Sequence, residues 1–598
     1  MLDDSLQELY RQPAYPYRKL EGSDIRLLRI LPRTETDDIE CLLHQIPIEE
    51  AGDFHSLSYV WGDVTDRCTI TLENQPFEVT RSLFEALDQL RECPPDFDSL
   101  EEYFWIDAIC INQEDIDERS QQVQRMIDIY NGSHTIIWLG PIVSLSADGP
   151  SSCSPEHQMS SEEAFEFLFK KINSMGDEWE PVGENNKLVI NRCLGRAYKA
   201  VLDIMTEILH RPWFGRIWTL QEACLDSWLT VHLGPYSTSL YRFLEFTEYF
   251  ALRNRVLYLS PGVQRVLAIQ NMNELLATIR SSDGDGLKVG EVLTKILGIA
   301  GAAKSTDPRD QIYGLLSMLK YMRGGDLPDD LSPNYHMSYT ETYWNYAAFL
   351  FQSTGDLHLL KCRRNELHDV PSWVPDFRYL SAGPSIPDPS VYVTPDKKVL
   401  HLQGHILGTF RCVFPRVDPE GMMPRRAKIP LELTNHLRAF EEQILKPSAL
   451  AREITIEEAF NNMMEFATKI LPVKSTASSF YEVYSTLRDS IRTRRSRTAK
   501  KKRTRNIVFK EQTIVDHFTF HYLLLHDGTI LVSTREDIEV KTGDLICIFK
   551  GSGKPGLLRA CGENFIFLGM CIIRGGPLEK KLDDDFWATA DIQDIKLV

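Results

Sequence analysis

Residues 103–109 read YFWIDAI, and this run decides the fold class. Its apolar character is continuous where a half-buried strand would alternate, which predicts a parallel strand covered on both faces, with Asp107 as the exception to be explained. Upstream, residues 55–60 (HSLSYV) have strand composition and break at Trp61-Gly62-Asp63. Downstream, a helix is expected from about Ile116, with Val123, Met126, Ile127 and Tyr130 on one face and Asn131-Gly132 as its stop. A third apolar run, residues 135–139, ends at Gly140-Pro141. Residues 56–60, 103–109 and 135–139 are therefore predicted to be neighbouring parallel strands with βαβ spacing. In open α/β sheets ligands sit beyond the carboxyl ends of the strands. That rule gathers Trp61, Asp63, Asn112, Gln113 and Gly140 on one side of the molecule.

The segment 211–222, RPWFGRIWTLQE, supplies a second concentration of chemistry. Pro212 suits a first helical turn, Gly215 relaxes the backbone, and from Arg216 the pattern reads as an amphipathic helix through Ile217, Leu220, Ala223 and Cys224. Trp218 and Glu222 then fall four apart on one face, so an indole and a carboxylate can border one pocket. The plainer reading is a core tryptophan beside a surface glutamate.

The chain has 598 residues, enough for about three domains, and carries a net charge of −19. That charge argues against nonspecific nucleic-acid binding by the whole molecule. Twelve scattered cysteines include no C-x-x-C pair, which suggests neither a zinc cage nor a disulfide framework, and no metal site is expected. No apolar run reaches the ~18 residues of a membrane span, and the opening MLDDSLQELYRQ is unlike a secretory signal. A soluble, cytoplasmic protein is expected. The basic run at residues 492–505 is open to nuclear import or to a solvated loop; it lacks the interleaved aromatics of a nucleic-acid binder.

Three domains follow from composition. Residues 1–235 form the α/β domain, opening with hairpins at residues 25–46 and 68–80 and interrupted by a Ser/Pro/Glu/Gly-rich insertion at about 141–190. Residues 236–388 are mainly helical by period, with Thr306-Asp307-Pro308-Arg309-Asp310 opening a helix. Residues 389–598 are β-rich, predicted as a small antiparallel barrel-like domain with a helical and basic insertion at about 431–510. Residues 142–160 and 492–505 are expected to be loop-like.

The blocks HSLSYVWGD, FWIDAICINQEDIDERSQQVQRMIDIYNGSHTIIWLG and RPWFGRIWTLQEA resemble the successive signatures of the fungal heterokaryon-incompatibility (HET) domain, over roughly residues 24–226. TDPRDQIYGLLSML, PSWVPDF and the terminal GDLICIFKG and GLLRACGENFIFLGM are similar to regions that commonly follow it. The resemblance implies a fungal allorecognition effector ending in growth arrest or programmed cell death. HET domains in turn resemble TIR domains of innate immunity, which implies a flavodoxin-like, doubly wound, mostly parallel sheet. Some TIR domains cleave NAD⁺ with a glutamate four residues after a tryptophan, a pattern that Trp218 and Glu222 match, although the insertion after Pro141 departs from the plain TIR order.

The resemblance thus implies Glu222 as the catalytic carboxylate and NAD⁺ as a substrate, with no cofactor. The nicotinamide leaves as a neutral group and needs no general acid, so one carboxylate stabilising an oxocarbenium-like transition state is enough. Asn112 and Gln113 are candidates to bond ribose or carboxamide, and Trp61 to stack on a flat ring, or else these residues cap loops and fill the core. Asp63 and Asp107 join them as substrate-binding candidates; a buried strand aspartate also commonly fixes adjacent backbone amides. Cys110 as a thiol nucleophile is disfavoured, since no histidine shares its motif and His134 precedes another strand. The competing class is a non-catalytic signalling module that self-associates or recruits protein partners on the same fold.

Overall fold

The structure is a computed structural model that describes residues 15–33, 38–92, 102–142, 161–174, 198–224, 228–251, 260–281, 288–301, 303–323, 327–328, 331–362, 367–380, 387–414, 431–461, 484, 521–527, 529–533, 538–552, 554–570 and 584–598. The basic run at 492–505 and nearly all of 142–160 lie outside these, so the expectations placed on them are not addressed. Two compact units divide the chain, Met1–Tyr339 and Thr340–Val598.

In the first unit, β1 (Asp24–Ile30) and β2 (Glu40–Pro47) pair antiparallel, as the opening hairpin predicts. β3 (His55–Ser58) follows, then the hairpin of β4 (Arg67–Leu72) and β5 (Gln75–Thr80). Its two-residue turn places Glu73 and Asn74 at φ 48° and 63°, the left-handed pair that matches the strands' twist. Helix α1 (Arg81–Glu92) buries Leu83, Ala86, Leu87 and Leu90, the apolar stripe read from its period. After β6 (Phe104–Trp105) and the short α2 (Asp107–Cys110) comes α3 (Ile116–Asn131), whose N-cap Asp115 accepts from the amides of Asp117 and Glu118. β7 (His134–Trp138), α4 (Ser161–Asn173), α5 (Tyr198–Leu209), a 3₁₀ turn (Pro212–Gly215) and α6 (Thr219–Ala223) lead into β8 (Leu229–Leu233) and β9 (Tyr236–Ser239).

The strands form one sheet in the order β5-β4-β2-β1-β6-β3-β7-β8-β9. The three strands singled out in sequence are indeed parallel neighbours: β3 lies between β6 and β7, with Ser56 opposite Trp105 on one side and Thr135 on the other. β8 extends this parallel core on the far side of β7. "Mostly parallel" requires correction, because among the described residues four pairings are parallel and four antiparallel. The parallel core is flanked by hairpins at both edges, giving a mixed sheet. The run 103–109 also divides: only Phe104 and Trp105 are strand, and the chain turns when the amides of Ile109 and Cys110 bond the carbonyl of Ile106. Asp107 thus opens α2 and is not a strand residue. A continuous apolar run cannot by itself separate a buried strand from a buried turn of helix.

Helices α7 (Leu240–Ala251), α8 (Pro261–Ser281), α9 (Val289–Ala300) and α10 (Asp310–Arg323) complete this unit, α10 packing against α3 and α6. The second unit opens with α11 (Tyr339–Thr354) and centres on the 15-residue β11 (Leu400–Phe414). Antiparallel to β11 are β10 (Tyr392–Val393), β12 (His521–Leu525), β14 (Leu545–Phe549) and β17 (Gln593–Leu597). β13 (Ile530–Ser533), β15 (Pro555–Cys561) and β16 (Asn564–Met570) extend the sheet. It is mixed, since β16 meets β17 in parallel at Phe565 and Leu597.

α8 crosses α5 at Gly262, where an added Cβ would lie 2.2 Å from the carbonyl oxygen of Leu209. Backbone cannot retreat as a side chain can, so Gly262→Ala should cost about 1–3 kcal/mol. Denaturant unfolding checks this. An unchanged midpoint would mean that the crossing is not close-packed.

Candidate functional site

The carboxyl ends of the parallel strands carry the polar chemistry of the first unit. β3 is buried along its length and ends in Ser58, followed by buried Tyr59. The Ser58 hydroxyl donates to Oε2 of Glu222 and accepts from the indole N–H of Trp213 at 2.8 Å. Glu222 is only 3% exposed, which excludes the surface-glutamate reading. Burial pushes its carboxyl up from 4.5 to about 7, against the opposing pull of the Arg216 charge and the Ser58 hydrogen bond. Arg216 also acts on Asp107, and its guanidinium donates to the carbonyl of Tyr59. One cation thus serves two carboxyls, and burial raises Asp107 as well.

Segment 211–222 is shorter in helix than its period predicts. Arg216 is extended, with ψ 145°, and forms a parallel bridge with Lys304. Ile217 donates to the carbonyl of Lys304 at 3.0 Å, and Lys304 to that of Gly215 at 2.6 Å. Only Thr219–Ala223 is α-helical, with Trp218 at its N-cap. The spacing of four is kept, the Glu222 amide donating to the carbonyl of Trp218 at 3.1 Å, yet the two side chains engage different neighbours. Trp218 donates its indole N–H to Asp310 at 3.2 Å and packs near Gly314, while Glu222 meets Ser58. The indole joined to Glu222 through Ser58 is Trp213. Arg211, 9% exposed, bonds the carbonyls of Leu139 and Pro141 at 2.7 and 2.9 Å and fixes the segment to the loop after β7.

Of the other expected residues, Trp61, Asn112 and Gln113 line one open cleft of about 80 Å³. Trp61 donates to Asp107 Oδ2 at 2.9 Å, and Asp107 Oδ1 accepts from the amide of Ala108 at 2.8 Å, so the carboxylate both fixes a backbone amide and orients the indole. Gln113 donates to the carbonyl of Asp107 at 2.8 Å. The amide of Asn112 is held by Glu118, itself in a buried ion pair with Arg26 at 2.6 Å. Asp63 is exposed and spent on its own turn, accepting from Thr65. Tyr59 lines the cleft and faces the charges of Glu222 and Asp107. Glu222 and Trp218 are not among the lining residues. Burial holds the Cys110 thiol up at about 12, the reverse of what a thiolate nucleophile needs.

Comparison with known proteins bears on this same stretch of chain. Residues 54–222 match the family model of the heterokaryon incompatibility protein (HET). The match begins just before β3 and ends at Glu222. "Heterokaryon incompatibility protein 6, OR allele" of Neurospora crassa is 27% identical over 454 residues, covering 65% of this chain and 64% of that relative. The chain thus aligns to a little under two thirds of that relative's length. No solved structure matches. Among the described residues, no helix is long and apolar enough to cross a membrane.

Sequence reasoning passed over Ser58, Tyr59 and Trp213. A hydroxyl closing an otherwise buried strand was the available signal for Ser58. A proton on Glu222 is bound more tightly in the folded chain than in the unfolded one, so its contribution to stability is full below about pH 4.5 and lost as pH rises through 7. Glu222→Gln cannot ionise. It should therefore gain stability relative to the parent by up to about 3 kcal/mol between about pH 5 and 8. Denaturant midpoints measured across that range check this; a difference that does not change with pH would contradict the raised carboxyl.

Proposed function

We propose that the chain is a fungal allorecognition effector whose first unit binds a nicotinamide dinucleotide at the carboxyl edge of its parallel strands and cleaves the nicotinamide-ribose bond with Glu222. The observation that carries this reading is the position of Glu222. It is buried beside the end of β3, near neutral in its titration, and attended by Arg216 and Ser58. Numbered among themselves, the parallel strands β6-β3-β7-β8 run 2-1-3-4, the order of flavodoxin-like sheets, which place ligands where the order reverses, between β3 and β7. That order supports the TIR-like reading. Trp61, Asn112 and Gln113 supply a ring face and amides to the substrate. Glu222 stabilises positive charge developing on the ribose, and its low-dielectric setting strengthens that interaction.

Tyr59 lines the cleft and is also within reach of the Glu222 charge. In this reading the resting chain is closed, and self-association or a protein trigger shifts Tyr59 and admits substrate to the carboxylate. The absence of Glu222 from the cleft wall favours a second reading, a signalling module in which Glu222 only braces Ser58 and Trp213. Nicotinamide release from NAD⁺ by the full chain, alone and in an assembled form, separates the two. The catalytic reading expects release that Glu222→Gln lowers at least about a hundredfold while the protein remains folded. Growth arrest without nicotinamide release, or arrest that survives Glu222→Gln, would establish the signalling module.

A further inference from the structure

The cleft beside Tyr59 has a composition that selects among ligands more narrowly than its shape does. Five aromatic rings line it: Tyr15 and Tyr17 from the arm before β1, Tyr59 and Trp61 after β3, and Phe77 of β5. Three of them have their polar atoms engaged by protein. Tyr15 donates to Glu73 at 2.5 Å, Tyr17 to the carbonyl of Ile109 at 2.8 Å, and Trp61 to Asp107 at 2.9 Å. What these rings offer a guest is π surface.

The charged lining is acidic on balance. Glu78, which accepts from the Thr69 hydroxyl at 2.7 Å, and Glu114 contribute two carboxylates against one lining guanidinium, Arg67, whose Nε donates to the carbonyl of Val64 at 2.9 Å. α3 directs its N-terminus to this side but opens with Asp115 and Asp117, which offset the pull its dipole would exert on an anion, while Glu118 is already paired with Arg26. Phosphate groups are thereby disfavoured inside the cleft. A cation is favoured, because aromatic faces attract positive charge and adjacent carboxylates add to that attraction. Tyr17 already holds one cation, the Arg26 guanidinium, 4.7 Å from its ring centre and paired with Glu118.

We propose that this cleft recognises a flat, delocalised organic cation, an N-substituted pyridinium, and that it tells the charged ring from its neutral counterpart. The inference rests on the nicotinamide reading above and adds the basis of discrimination. The positively charged oxidised ring enters between Trp61 and the tyrosines, Asn112 and Gln113 meet its carboxamide, and the diphosphate stays outside. A neutral dihydropyridine of the same shape lacks the charge and is held weakly.

The test uses the full chain and two probes of nearly equal size, 1-methylnicotinamide, which is cationic, and nicotinamide, which is neutral. Calorimetric titration should find the cation bound at least about tenfold more tightly. Glu78→Gln combined with Glu114→Gln should reduce that preference to about threefold or less, and Trp61→Leu should weaken the cation more than the neutral ring. Circular dichroism confirms that each variant is folded, and Glu114→Gln alone, on an exposed loop residue, gives a partial loss of preference without risk to the fold. Equal affinities for the two probes, or no binding of either at millimolar concentration, would overturn the proposal. Neither probe has a glycosidic bond to cleave, so the result is independent of catalysis. Cation preference without NAD⁺ cleavage would sink the catalytic reading alone, and cleavage without cation preference would sink this inference alone.

Discussion

A carboxyl buried against a serine hydroxyl is the constraint around which the first unit is arranged. Removing an ionisable group from water is costly unless it is paired or neutral, and Glu222 is met on both counts by partial protonation and by Ser58. Ser58 must also satisfy Trp213, so the end of β3 and the segment 211–222 are fixed together. The remaining ties reinforce that junction: Arg216 to the carbonyl of Tyr59, and Arg211 to the loop after β7. Three separated parts of the sequence meet at one end of the sheet, where open α/β folds concentrate their chemistry.

Two sets of groups meet at that end. One comprises the carboxyls whose proton affinities burial has displaced, Glu222 and Asp107. The other comprises aromatic rings and amides oriented by protein hydrogen bonds, and the bond from Trp61 to Asp107 joins the two. Displaced proton affinities suit chemistry, and oriented rings suit recognition. Burial, and after it the Asp107 charge, hold the Tyr59 hydroxyl well above the ordinary tyrosine range.

The framework was legible in sequence wherever local patterns decide structure. The hairpin at residues 68–80, the helix from Ile116 and the three neighbouring strands all follow from spacing and propensity. Features set by distant residues were not legible. The helix expected from Arg216 is cut short because Lys304 pairs with that stretch as a strand would, and no periodicity within residues 211–222 reports this. Trp218 and Glu222 keep the helical spacing, the Glu222 amide bonding the carbonyl of Trp218, but Asp310 engages the indole and Ser58 the carboxyl, partners that no local pattern announces. Asp107 could be read in sequence as a buried carboxylate, but its double duty toward Ala108 and Trp61 needed the fold.

The bridge between Arg216 and Lys304 has a consequence for synthesis. Residues 303–317 supply the backbone partners of Gly215 and Ile217, the acceptor for Trp218 and the hydroxyl of Ser317 that donates to Gln221. A ribosome lays down the chain from its N-terminus, and domains settle as they emerge. The short helix bearing Glu222 is therefore made well before its support exists. A polypeptide broken off between the two would carry the carboxylate without the socket that sets it, so that a truncated copy leaves the ribosome with Glu222 unplaced.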